Sequence, residues 1–97
     1  MKVSEAPNCV AYHLKQNWHR IAGPIDNKDP RFSFEKIKSY VIHLAYKAQK
    51  TKKRQEIIER IKATTTPQEL RDVVENIIKV ADETEYIDYY NYYNSNF

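Results

Sequence analysis

A single glycine, Gly23, stands in this chain of 97 residues. Hairpin turns and strand bulges recruit glycine, above all in Asn-Gly pairs, and no such pair occurs here. Helix interiors need none, because glycine there costs backbone entropy. The chain therefore reads as all-α: a compact bundle of three to four helices with a Tyr-rich C-terminal segment. The expected division is a helical domain over residues 1–83 and an acidic, Tyr/Asn-rich tail over residues 84–97, drawn either as a tail or as a short helix closing on the body.

Apolar spacing locates the helices. Val10, Leu14, Trp18 and Ile21 make one stripe, so a first helix is expected over Asn8–Ala22, capped by Asn8 and stopped by Gly23-Pro24 with the glycine left-handed. Phe34, Ile37, Val41, Leu44 and Ala48 make a second seam, starting near Asp29-Pro30 or Ser33. That seam ends in Gln49-Lys50-Thr51-Lys52-Lys53, and apolar spacing resumes at Ile57, Ile58 and Ile61. A continuous helix over 31–66 would leave its middle turns nothing to bury, so a break near Lys50 is expected, with 52–63 as an extra helix or an extension. The strongest local signal is Thr66-Pro67-Gln68-Glu69. Thr66 suits the cap, Pro67 the first helical position, and Glu69 the return bond to the Thr66 amide. Leu70, Val73, Val74, Ile77, Ile78 and Ala81 then share one face, which marks the central helix of the core.

Charge divides the chain more sharply than its net of +3 suggests. Residues 1–81 hold all 16 bases and nine acids, whereas residues 82–97 hold four acids, no base and five tyrosines. Lys47, Lys50, Lys52, Lys53 and Arg54 place five cations in eight residues with no acid between them. Such a ridge can neutralise phosphates without reading bases. It can equally be a solvated helix end whose cations complement the dipole of a C-terminus. Tyr86, Tyr89, Tyr90, Tyr92 and Tyr93 offer large contact area at low entropic cost, the chemistry of docking surfaces. Spacing of three and four along Tyr86, Tyr89 or Tyr90, Tyr93 and Phe97 would also suit a helix packed on the body.

Catalytic and metal chemistry finds little footing. One cysteine permits no internal disulfide and suits a reducing compartment. Cys9 and His13 lie four apart, but no second ligand pair, Cys-x-x-Cys or His-Glu-x-x-His accompanies them. The same pair taken as thiol and base lacks an orienting third group and an oxyanion site. Trp18 belongs with Leu14 and Ile21 as core rather than as a ligand platform. Glu56, Glu59 and Glu69 interleave with Arg54, Arg60 and Arg71 as solvated helix pairs would. A glycine-rich phosphate loop cannot be built from one glycine. No catalytic residue, metal or cofactor is assigned. A run of about twenty apolar residues, as a membrane span requires, does not occur. The segment Met1–Pro7 lacks the apolar core of a secretion signal.

The segment Ile61-Lys62-Ala63-Thr64-Thr65-Thr66-Pro67-Gln68-Glu69-Leu70-Arg71-Asp72-Val73-Val74 resembles a phrase in small helical modules of effector proteins that intracellular bacteria secrete into host cells. The resemblance implies a bacterial protein that meets a host or bacterial protein partner in a type IV secretion context, and it assigns no functional residue. The expectation is thus a non-enzymatic protein–protein interaction module. It would be cytoplasmic, or secreted into a host cell without a cleavable signal peptide. Tyr86, Tyr89, Tyr90, Tyr92 and Tyr93 would form the partner-binding set, and Lys47, Lys50, Lys52, Lys53 and Arg54 an electrostatic patch. Nucleic-acid binding through that ridge is the alternative, and the tyrosines could also serve self-association.

Overall fold

The helix that organises the molecule begins where the sequence signals it most strongly. In the computed structural model, which describes residues 2–85, α5 spans Pro67–Asp82. The Thr66 hydroxyl accepts from the Glu69 amide at 3.1 Å, and Pro67 takes the first turn, where a missing N–H costs nothing. The Glu69 carboxylate accepts from the amide of Thr65, not that of Thr66, at 3.1 Å. It reaches one residue further back than the expected box. Leu70, Val74, Ile77 and Ala81 are buried, with Val73 and Ile78 half-buried beside them.

The remaining described helices are α1 (Val10–Gln16), α2 (Trp18–Asp26), α3 (Phe34–Tyr46) and α4 (Lys52–Lys62). α1 packs on α3 and α5, α4 on α3 and α5, and α2 on α5. Val10, Leu14, Ile21, Val41, Leu44, Ile58, Ile61, Leu70 and Val74 meet in one core, each almost wholly buried. Among the described residues there is an isolated β-bridge, Lys2 with Glu85, and no strand. The all-α class therefore holds, with five α-helices among the described residues where three or four were expected.

The additional helix comes from the first segment. Asn17, at φ −115° and ψ 15°, separates α1 from α2. Its side-chain amide donates to the His13 carbonyl at 2.8 Å, and its Oδ1 accepts from the Tyr40 hydroxyl at 3.0 Å. Asn17 thus exchanges helical backbone geometry for bonds to α1 and α3. The N-cap of α1 is Cys9, not Asn8; the Asn8 carbonyl instead accepts from the Gln49 amide at 2.9 Å.

Gly23-Pro24 does not stop the helix. α2 continues through both, and Gly23 has no left-handed φ. The left-handed residue is Lys28, at φ 49°. There the Lys28 amide donates to Ile25 and the Asp29 amide to Pro24, the paired bonds of a Schellman C-terminus.

The expected break in 31–66 lies between α3 and α4. Ser33 caps α3, accepting from the Lys36 amide, and Thr51 caps α4, accepting from the Arg54 amide at 3.1 Å. Residues 31–66 therefore form two helices. Lys38 Nζ donates at 2.7 Å to the carbonyl of Thr64, just past the C-cap of α4, and ties α3 to the α4–α5 connection. The N-terminal 3₁₀ turn Val3–Glu5 clasps the end of α5. The Val3 amide donates to Thr84 O at 2.9 Å, and the buried Ser4 hydroxyl bonds Asp82.

Candidate interaction surface

All five ridge cations lie at the α3–α4 corner. Lys47 is the C-cap of α3, Lys50 sits in the connection, and Lys52, Lys53 and Arg54 form the first turn of α4. Lys47, Lys50 and Lys52 are exposed, whereas Lys53 and Arg54 are half-buried. Lys53 reaches Glu56 at 3.4 Å. The Arg54 guanidinium lies 5.1 Å from the centroid of the half-exposed Tyr46 ring and donates through Nη1 to the Ala48 carbonyl at 3.2 Å. The expectation of cations at a helix C-terminus therefore holds for Lys47 alone. Three of the five stand at a helix N-terminus that carries no acid in its first turn, where the macrodipole opposes them.

From Lys53 the basic surface runs into an apolar groove between α4 and the last turns of α5. Val3, Ile57, Ile77 and Val80 line it, Lys53 and Arg60 form the α4 rim, and it encloses about 290 Å³. Val80 is 47 % exposed, unusual for an aliphatic side chain on the main core helix. Arg60 Nη2 donates to Asn76 Oδ1 at 3.1 Å across the groove, and Thr84 lines it beside the end of α5. Asn76 and Val80 were not singled out in the sequence, and Ile57 and Arg60 were read there only as apolar spacing and as one of a set of solvated pairs. The usable signal was Val73, Ile77, Val80 and Thr84 at spacings of four, three and four, which widens the α5 stripe beyond what one core contact can cover.

Other candidates resolve into structure. Cys9 is wholly buried and makes no disulfide. The His13 ring donates through Nε2 to the Pro7 carbonyl at 2.8 Å. No group of three or more His, Cys, Asp or Glu that could hold a metal gathers among the described residues. Trp18 is half-buried against the core, with the Arg71 guanidinium 5.1 Å from its ring centroid. Arg71 is shared by Asp26 at 2.8 Å and Glu75 at 2.6 Å, and chiefly the Asp26 hydrogen bond raises its pKa further. The acids and arginines expected as solvated pairs with one another mostly take other partners. Glu56 meets Lys53, Arg60 meets Asn76, and Glu69 closes a cap.

The stretch 61–74, for which the sequence suggested a resemblance to effector modules, covers the end of α4, the connecting turn and the first half of α5, and its Ile61, Leu70 and Val74 are buried in the core. Tyr86, Tyr89, Tyr90, Tyr92 and Tyr93 lie outside the described residues. No described helix is long and apolar enough to cross a membrane. Comparison with protein-family models, with curated proteins and with solved structures finds no match.

Proposed function

We propose that the chain is a non-enzymatic protein-interaction module that receives an acidic segment bearing aromatic or aliphatic anchors. The observation that carries this reading is the α4–α5 groove. Its apolar floor includes the exposed Val80, and its rim of Lys53 and Arg60 continues into the basic corner. Apolar anchors supply affinity in such a groove, while rim cations raise the encounter rate and select acidic partners. Selection from a displayed random-peptide library tests it. Enriched peptides should carry acids beside aromatic or aliphatic residues. They should lose about tenfold or more in affinity on Val80→Glu, as loss of a central anchor does. Peptides that bind wild type and Val80→Glu equally would remove the groove as the docking surface.

A second reading, nucleic-acid binding, is favoured by the α4 N-terminus. Lys52, Lys53 and Arg54 sit there against the dipole, beside the exposed Tyr46 ring. Amides and cations that repel one another in the isolated protein share a phosphate well. Fluorescence anisotropy with duplex and single-stranded probes at about 50 mM salt decides it, since phosphate contacts are strongest at low salt.

A further inference from the structure

We propose that the α3–α4 corner binds single-stranded nucleic acid, with the Tyr46 ring as the platform for one splayed base. The site rests on the nucleic-acid reading above and narrows it to unpaired strands. The first observation is the ring. Tyr46, the last residue of α3, is 50 % exposed. The Arg54 guanidinium lies over the ring, 5.1 Å from its centroid, and its Nη1 is held by the Ala48 carbonyl at 3.2 Å. The Ala48 bond fixes the guanidinium and the guanidinium steadies the ring. A base that covers the exposed half of this side chain therefore spends little on ordering it.

The second observation is charge. Residues 36–55 hold seven bases and no acid, and Tyr46 lies in the middle of that run. Lys47, Lys50 and Lys52 are exposed around the corner, and His43 is exposed one turn before the ring. The acids that bound the run stand apart. Glu35 is at the start of α3, about 16 Å along the helix from Tyr46, and Glu56 pairs with Lys53. The Thr51 hydroxyl already takes the Arg54 amide, so phosphates are met here by side chains. The third is the form of nucleic acid that such a corner suits. Bases in a duplex are stacked on one another and have no face to offer. An unpaired strand can turn one base onto an aromatic ring while its phosphates follow the cations. Neither contact reads base edges, so the site tolerates any sequence.

The test is fluorescence anisotropy on the full chain at about 50 mM salt, with labelled probes of about twelve nucleotides. The probes are an oligothymidine, an oligouridine, an abasic strand with the same phosphates, and a duplex. The two base-bearing strands should bind alike, more tightly than the duplex and about tenfold more tightly than the abasic strand, the scale of one stacked base. Tyr46→Ala should remove that margin and leave affinity for the abasic strand near wild type, whereas Tyr46→Phe should keep the margin. Lys47→Ala with Lys50→Ala should weaken every probe and lower the salt slope on single strands by about 1.4, the share of two phosphates. The proposal falls if bases add nothing to the affinity of the strand, if the duplex binds as tightly, or if Tyr46→Ala leaves the margin intact. A strong preference for oligouridine over oligothymidine also overturns it, because the sugar would then be what is read. In each of these cases salt-dependent binding leaves the nucleic-acid reading standing. Failure of every probe to bind at low salt removes both.

Discussion

Arg60 Nη2 on α4 and Asn76 Oδ1 on α5 meet at 3.1 Å across the mouth of the groove, both on exposed residues. A hydrogen bond in that setting competes with water at both ends and contributes about 1 kcal/mol or less. Asn76 leaves the guanidinium charge unneutralised. A carboxylate arriving in the groove therefore gains a charge-assisted bond and gives up little. Arg60→Ala is expected to cost less than about 1 kcal/mol in denaturant unfolding, yet to weaken acidic library peptides severalfold. A large loss of stability would assign Arg60 to the scaffold.

The basic corner predicts a conflict between stability and docking. Lys52 is the first residue of α4 and exposed, in a first turn with no acid. Reversing its charge turns repulsion from the helix dipole into attraction, worth roughly 0.3–1 kcal/mol, less roughly 0.2–0.5 for the new like pair with Glu56. Lys52→Glu should therefore hold or slightly raise Tm while lowering affinity for acidic peptides or for phosphate-bearing probes. A variant that lost stability as well as binding would mean that the corner is needed for folding.

Lys28 offers a separate gain. It occupies the left-handed position of a Schellman motif, at φ 49°, where an L side chain crowds its own backbone. Lys28→Gly relieves that strain and forfeits some unfolded-state restriction, for a net gain of up to about 1 kcal/mol. For a domain of this size, that gain corresponds to about 4–8 °C in Tm. Thermal unfolding that shows no change or a fall would place the relief below the entropic loss.

What could be read from the chain divides along the range of the interactions. The second seam and the Thr66-Pro67 start were legible because capping and periodicity act within one or two turns. The break at Asn17 was not, since it depends on the Tyr40 hydroxyl 23 residues away. Gly23 misled for a related reason. A helix restarted at Trp18 ends its last turn at Asp26, so the terminating geometry falls on Lys28. The five cations were visible as a group, but their place at a helix N-terminus followed only once Thr51 was known to cap α4. The groove was hardest to foresee. Its floor draws Val3 from one end of the chain and Val80 from the other, and no window along the sequence holds both.

Acid should act on the clasp between the 3₁₀ turn and α5. Asp82 sits at the C-terminal end of α5, where the dipole disfavours a carboxylate, yet its pKa is held below the ordinary aspartate range. The hydrogen bond from Lys15 Nζ at 2.7 Å is the main cause, followed by that from the Ser4 hydroxyl. Lys2 adds a weaker attraction. A folded value below the unfolded one means that the ionised group stabilises the fold. That contribution is complete above the unfolded value of about 4 and disappears as pH falls through the lower folded value. The Asp82 side chain is 42 % exposed, so water screens the pair and the effect stays modest. Glu85, lowered by Lys2, and Asp29, lowered first by the Arg31 amide, titrate in the same direction and leave some acid dependence in any single variant. Asp82→Asn keeps a hydrogen-bonding group of the same shape and removes the titration. Its Tm should fall less than that of wild type between about pH 5 and about pH 2, with the two curves converging at the acid end. Parallel curves across that range would show that the Ser4–Asp82–Lys15 contact does not set the acid stability of the clasp.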